Sequence, residues 1–177
     1  MNTTTLIPVE AFLASGAYEK CEYIEGRVVE APVGNKRHSR IQLQCGALLA
    51  AHLKDRSGAY CGTELRCRIT VGGKTRFYQP DVVVVLNDPD PDSEYLDRAP
   101  DLVVEIRSPS NTTAELTRKM EHYFANGARL GWIILPDEQA VLALSPTAPP
   151  RTLRSGDRLD AAEILPGFAA PVDDLFS

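Results

Sequence analysis

The stretch Asp101-Leu102-Val103-Val104-Glu105-Ile106-Arg107, followed by a helical segment from about Thr112 to Asn126 and then by Leu130-Gly131-Trp132-Ile133-Ile134-Leu135, decides the fold. The two outer segments are apolar on both faces, as strands covered on each side must be. Between them Asn111 is placed to cap the helix and Gly127 to end it. Strand, helix, strand in that order makes a parallel, right-handed crossover. The expected fold class is therefore α/β in the α+β sense, a central mixed β-sheet flanked by helices.

Working outward, Val82-Val83-Val84-Val85-Leu86 ends a strand expected over Arg76 to Leu86, joined through Val71-Gly72-Gly73-Lys74 to another over Ala59 to Thr70. Ile41, Cys45, Leu48, Leu49, His52 and Leu53 follow the spacing of one buried helical stripe, so a helix is expected from its cap at Asn35 to about Asp55. Near the start, Pro8 opens a short amphipathic segment through Ala14, and Cys21 to Ile24, Glu25-Gly26 and Arg27 to Val29 read as an N-terminal hairpin. Downstream, Ala140 to Leu144 and Arg151 to Arg154 are expected to add an antiparallel edge, and Leu165-Pro166-Gly167-Phe168 to pack against the body.

The chain has 177 residues, of which 44% are hydrophobic, enough for one domain over 1–177 with its own core. Cys21, Cys45, Cys61 and Cys67 form no C-x-x-C pair and read as reduced packing residues. No leader pattern is read over Met1 to Glu10, and no apolar run is long enough to span a bilayer, so a cytoplasmic protein without a membrane partner is expected. The net charge of −5 conceals segregation: residues 36–78 carry 9 basic and 2 acidic side chains, and residues 79–105 carry 1 basic and 8 acidic ones. A basic face beside an acidic pocket suits a polyanion held near a metal, although a solvated surface gives the same counts. Lys36, Arg37 and Arg40 crowd the first turns of the expected long helix, against its dipole, a placement more readily tolerated where those charges meet an anion.

Two acids carry the chemistry. Glu105 sits where every neighbour is apolar, and a carboxylate there must be paired, protonated or bound to a cation. Asp81 follows Pro80 at the mouth of the Val82 to Leu86 run. If the two strands are neighbours, both carboxylates converge at one end of the sheet, an oxygen donor set suited to Mg²⁺ or Mn²⁺. The alternatives are a buried ion pair of Glu105 with Arg107 or Arg68, and a polar strand cap at Asp81.

These residues resemble the bacterial "putative restriction endonuclease" family of the PD-(D/E)xK nuclease superfamily. The resemblance is carried by Glu22-Tyr23-Ile24-Glu25-Gly26, His38, Gln79-Pro80-Asp81-Val82 and Pro100 to Ser110. It continues through Lys119, Tyr123, Gly127, Trp132, Pro136 and Leu165-Pro166-Gly167-Phe168. It implies a restriction-endonuclease-like core, cleavage of phosphodiester bonds in DNA, metal binding by Asp81 and Glu105, a catalytic lysine at Lys119 on the following helix, and a homodimer. Departures are Glu115 for the usual Asp, Leu135 for an acid before Pro136, and Leu130-Gly131 for an acidic and aromatic pair; none removes a metal ligand.

The residues themselves agree on Lys119. Arg107 stays protonated and cannot serve as a base, whereas a desolvated lysine can have its pKa lowered, orient or deprotonate water, or stabilise charge on a phosphate. The competing reading of Lys119 is an exposed pair with Glu115. Arg107 is expected to contact phosphate or pair with an acid; His38 reads either as a helix-surface or core residue or as one that approaches the pocket or substrate, and Ser108 as a turn former, with support of the acids from behind as the alternative. Absence of G-x-S-x-G, P-loop and G-x-G-x-x-G patterns counts against esterase, nucleotide-hydrolase and dinucleotide-binding classes. Two alternatives to the nuclease stay open: a catalytically silent nucleic-acid-binding or protein-interaction module, and a metal hydrolase of small phosphoesters.

Overall fold

A computed structural model of the protein describes residues 6–30, 34–88 and 90–177. Residues 1–5 of the stretch read for a leader, and Pro89 of the acidic loop from Asn87 to Asp92, lie outside the described residues. In chain order the elements are α1 (Val9–Leu13), β1 (Cys21–Ile24), β2 (Arg27–Glu30), α2 (Lys36–Leu53), β3 (Ala59–Thr63), β4 (Cys67–Val71), β5 (Lys74–Tyr78) and β6 (Val82–Leu86). There follow β7 (Leu102–Ile106), α3 (Thr113–Ala125), β8 (Leu130–Leu135), β9 (Ala140–Leu144), β10 (Arg151–Leu153), β11 (Arg158–Asp160) and β12 (Ala169–Pro171).

The crossover expected from the deciding stretch is present: β7 and β8 pair in parallel, Leu102 opposite Leu130, with α3 between them in sequence. They lie at the centre of a mixed six-stranded sheet of order β10-β9-β8-β7-β6-β3, whose remaining pairs are antiparallel. The N-terminal hairpin also forms, but its β1 pairs with β5 in a second, antiparallel sheet of order β2-β1-β5-β4. The expected antiparallel edge is β9 with β10, and β11 with β12 adds a small two-stranded sheet.

Two expectations are corrected. The long strands over Ala59 to Thr70 and Arg76 to Leu86 each break in two, and their halves belong to different sheets. The breaks fall at Glu64, whose φ is 54°, and at Pro80, which has no N–H for a ladder. Glu64 N–H donates to Pro80 O at 3.1 Å and so ties the two bends together. The cap of α3 is Thr112 and not Asn111: Thr112 and Glu115 form a reciprocal capping box, while Asn111 Oδ1 accepts from Ser108 N–H at 2.9 Å.

Side chains alternate across the six-stranded sheet. On one face Val82, Val84, Val104 and Trp132 meet Ile41, Cys45 and Leu49 of α2 and Leu165, Phe168, Val172 and Leu175 of the C-terminal segment. On the other, Val85, Val103 and Ile133 meet Leu116, Met120 and Tyr123 of α3, which in turn pack on Cys67, Ile69 and Tyr78 of the four-stranded sheet. Glu105 shares the parity of Val103, so its side chain enters this second layer, between the two sheets. Among the described residues no helix is long and apolar enough to cross a membrane.

Candidate metal and phosphodiester site

The register of β6 against β7 pairs Val83 with Val103 and Val82 with Val104. One further step sets Asp81 opposite Glu105, and the two strands run antiparallel, so the start of one and the end of the other meet at the same end of the sheet. Asp81 Oδ2 accepts from Ile106 N–H at 2.6 Å, which holds the aspartate against β7. Pro80 allows the chain to leave β5 and turn into β6 at this point. Gln79 secures the turn, its Nε2 donating to Glu19 O at 3.1 Å and Glu64 O at 2.9 Å.

Two helices complete the cluster. Asn35 Oδ1 accepts from His38 N–H at 3.0 Å and starts α2, and His38 Nε2 then lies 3.2 Å from Asp81 Oδ1. Gln42, one turn on, donates from Nε2 to Asp81 O at 3.0 Å. From α3, Lys119 Nζ lies 2.8 Å from Glu105 Oε1 and 2.6 Å from Glu22 Oε1. The same ammonium sits over the rings of Tyr78, at 5.1 Å, and Tyr123, at 6.0 Å. Tyr123, fully buried, donates its hydroxyl to Glu105 Oε1 at 3.0 Å. Both contacts therefore fall on one oxygen of Glu105, and its Oε2 has no hydrogen bond among the described residues.

Burial pushes the Glu105 carboxyl up to about 7, with Asp81 and Glu22 adding to the rise and Lys119 opposing it. Burial alone would lower Lys119, but the Glu105 and Glu22 carboxylates outweigh it and hold the ammonium above the usual lysine range. The direction is opposite to the lowering expected of a lysine desolvated on its own, because two carboxylates face the ammonium. The hydrogen bond that His38 donates to Asp81 raises it above the ordinary imidazole value, against its partial burial.

The remaining sequence-predicted residues are distributed around this centre. Glu105 does not pair with Arg107 or Arg68; Arg68 meets Asp97, and Arg107 meets Glu138 at 2.8 Å and Asp137 at 3.5 Å. Glu115 caps α3 at Thr112 and does not pair with Lys119. Ser108 is buried in the turn after β7, its Oγ 2.8 Å from Ser110 Oγ. Lys36 and Arg40 are exposed on the first turns of α2, and Arg37 bonds to Asp137 at 3.1 Å. The four cysteines are free, and burial raises the thiols of Cys45, Cys61 and Cys67.

Glu22 and Tyr123, quoted above only as parts of the resemblance, and Tyr78, which no motif includes, belong to the cluster without having been assigned a role in it. Glu22 stands 97 positions from Lys119; the one local signal was an acid alternating with Cys21 and Tyr23, both of which turn inward on β1.

Among the described residues no three His, Cys, Asp or Glu side chains gather into a ready-made metal cage. The oxygen-only pair of Asp81 and Glu105, with Oε2 of a desolvated glutamate open to a cation, fits Mg²⁺ or Mn²⁺, which take one or two carboxylates and draw further oxygens from water and substrate.

A family model described as "Uma2: Putative restriction endonuclease" matches residues 9–173. A crystal structure described as a putative nuclease belonging to DUF820, from Anabaena variabilis ATCC 29413, is similar at a TM-score of 0.82 and 28% identity, covering 96% of this chain and 97% of that one. No functionally curated protein matches the chain.

Proposed function

We propose that this chain, which belongs to the Uma2 family of putative restriction endonucleases, is a metal-dependent endonuclease that hydrolyses phosphodiester bonds in DNA. The observation that carries the reading is the register placing Asp81 beside Glu105 at one end of the sheet's interior strands. Nothing in ordinary strand packing calls for two adjacent carboxylates there, one of them in the core.

Asp81 and Glu105 would hold the cation. When bound, Mg²⁺ or Mn²⁺ supplies a positive centre that polarises a phosphoryl oxygen and lowers the pKa of water. Lys119 keeps its proton, so its part is electrostatic: it orients Glu105 through Oε1 and offers positive charge to the anion that develops on the phosphate. Glu22 anchors the ammonium, and Tyr123 fixes the same Glu105 oxygen. His38 restrains Asp81 from the other side. Lys36, Arg37, Arg40 and Arg107 lie on elements that converge here and supply sequence-independent contacts to the DNA backbone. A homodimer would present one such centre to each strand of a duplex.

The test is calorimetric titration of Mn²⁺ into wild type, Asp81→Ala and Glu105→Ala, followed by incubation of each with supercoiled DNA. Wild type is expected to bind the ion and nick or linearise the DNA, and both variants to lose both properties while staying folded. Equal titrations in all three proteins would sink the metal site and favour the silent module. Metal binding without cleavage of the DNA, joined to cleavage of a chromogenic phosphodiester, would favour the hydrolase of small phosphoesters.

A further inference from the structure

The turn between β8 and β9, Pro136-Asp137-Glu138-Gln139, projects at the end of the sheet where Glu105 and Asp81 meet. Two arginines reach it from opposite sides. Arg37 immediately precedes His38, which holds Asp81, and Arg107 lies two residues beyond Glu105. Asp137 bridges them with one oxygen each: Oδ1 accepts from Arg37 Nη1 at 3.1 Å, and Oδ2 lies 3.5 Å from Arg107 Nη2. Arg37 Nη2 also donates to Pro136 O, Arg107 Nη2 to Glu138 Oε2 at 2.8 Å, and Arg107 Nη1 to Thr113 Oγ1 at 3.2 Å.

A carboxylate that gives one oxygen to each of two guanidinium groups occupies the position that the two non-bridging oxygens of a phosphodiester would take. The geometry points to a seat for a DNA phosphate formed by Arg37 and Arg107, in which Asp137 and Glu138 stand in for the substrate until it arrives. This rests on the nuclease reading and adds to it a role for two acids that no motif singled out. Two asymmetries support it. Asp137 has a side-chain exposure of 79% against 20% for Arg107, so the acid is screened and easily displaced while the arginine stays put. Arg107 is also held by Thr113 on α3, a contact that survives when the acids leave. The same turn lies at the end of the sheet that holds the metal-binding pair.

The experiment measures anisotropy of fluorescein-labelled DNA, as duplex, single strand and four-way junction, in EDTA so that nothing is cleaved. The proteins are wild type, D137N/E138Q, R37A/R107A and the combination of all four substitutions, each checked by circular dichroism. D137N/E138Q is expected to bind at least one of these DNAs about three- to ten-fold more tightly than wild type at low salt, with the gain shrinking as salt rises. In the R37A/R107A background the acid substitutions should gain nothing. Equal affinity of D137N/E138Q and wild type overturns the inference and leaves the nuclease reading intact. So does a gain that persists without the arginines, because it would reflect the general field of two removed charges. Failure of every protein to bind any of the three DNAs overturns the nuclease reading and this inference with it.

Discussion

Glu105 is a carboxyl group in a core, and its surroundings set both its chemistry and the pH dependence of the fold. Its unfolded value is 4.5 and burial raises it to about 7, so the native state holds the proton more tightly than the unfolded chain does. Its contribution to stability is complete below about 4.5 and is lost as pH rises through 7. His38, raised by Asp81, acts in the same direction: its contribution is present below 6.5 and fades above its folded value. Metal-free protein should therefore melt at a lower temperature at pH 8 than at pH 5. In Glu105→Gln that fall should be smaller by a few °C, since about 1 kcal/mol moves Tm by roughly 2–4 °C at this size. Melting curves of the two proteins at both pH values decide it, and identical falls would show that Glu105 titrates normally. Tyr123 acts on the same carboxyl. Tyr123→Phe keeps the ring and loses one buried hydrogen bond to a charged acceptor, so denaturant unfolding should show a loss of about 1.5–3 kcal/mol. Mn²⁺ affinity should weaken with it, because Oε1 is then held by Lys119 alone. A variant as stable as wild type would remove Tyr123 from the cluster.

At the scale of elements, the site depends on where α3 begins and how closely it lies on the sheet. The capping box fixes the start: Thr112→Ala should destabilise the protein by about 1 kcal/mol, with less effect from Asn111→Ala, whose side chain serves only the Ser108 turn. Reversal of that order in chemical denaturation would restore Asn111 as the cap. Gly131 fixes the approach. A Cβ there would stand 2.8 Å from Met120 Sδ and 3.3 Å from the ring of Phe124, both on α3. Met120 is fully buried and cannot swing into solvent, so Gly131→Ala should cost about 1–3 kcal/mol through overpacking. The departure Leu130-Gly131 is thus explained by packing that only the structure reveals. By contrast β7, α3 and β8 were legible because their signals are local: apolar runs, a polar cap region and Gly127. So was the first turn of α2, where Asn35 is the cap. The breaks at Glu64 and Pro80 were not read, although Pro80 carried a sign of one. A proline after Tyr78 ends a ladder, but nothing nearby in sequence tells that the two halves then join different sheets.

For the whole molecule, the candidate site doubles as the joint between the two sheets. Glu105 belongs to the six-stranded sheet, Glu22 to the four-stranded one, and Lys119 on α3 bonds to both. Asp81 and Glu105 were legible as a pair because each lies next to an apolar strand run and the two runs are close in sequence. The Glu22 partnership was not, because it joins residues 97 positions apart through a sheet that sequence periodicity does not describe. Removing the cation exposes what the joint does. Lys119→Met is close in volume but leaves the buried Glu105 and the half-buried Glu22 carboxylates facing each other near Asp81, and breaking a buried charged cluster in this way typically costs about 3–5 kcal/mol. That loss should be largest above pH 7, where Glu105 is ionised, and should shrink as pH falls and Glu105 takes up its proton. Mg²⁺ or Mn²⁺ should restore part of it, because a divalent ion replaces the missing positive charge, and so should raise the melting temperature of Lys119→Met more than that of wild type. If metal stabilises both proteins equally at pH 8, the ion does not sense the Glu22–Lys119–Glu105 chain. The metal site and the joint between the sheets would then be separate structures.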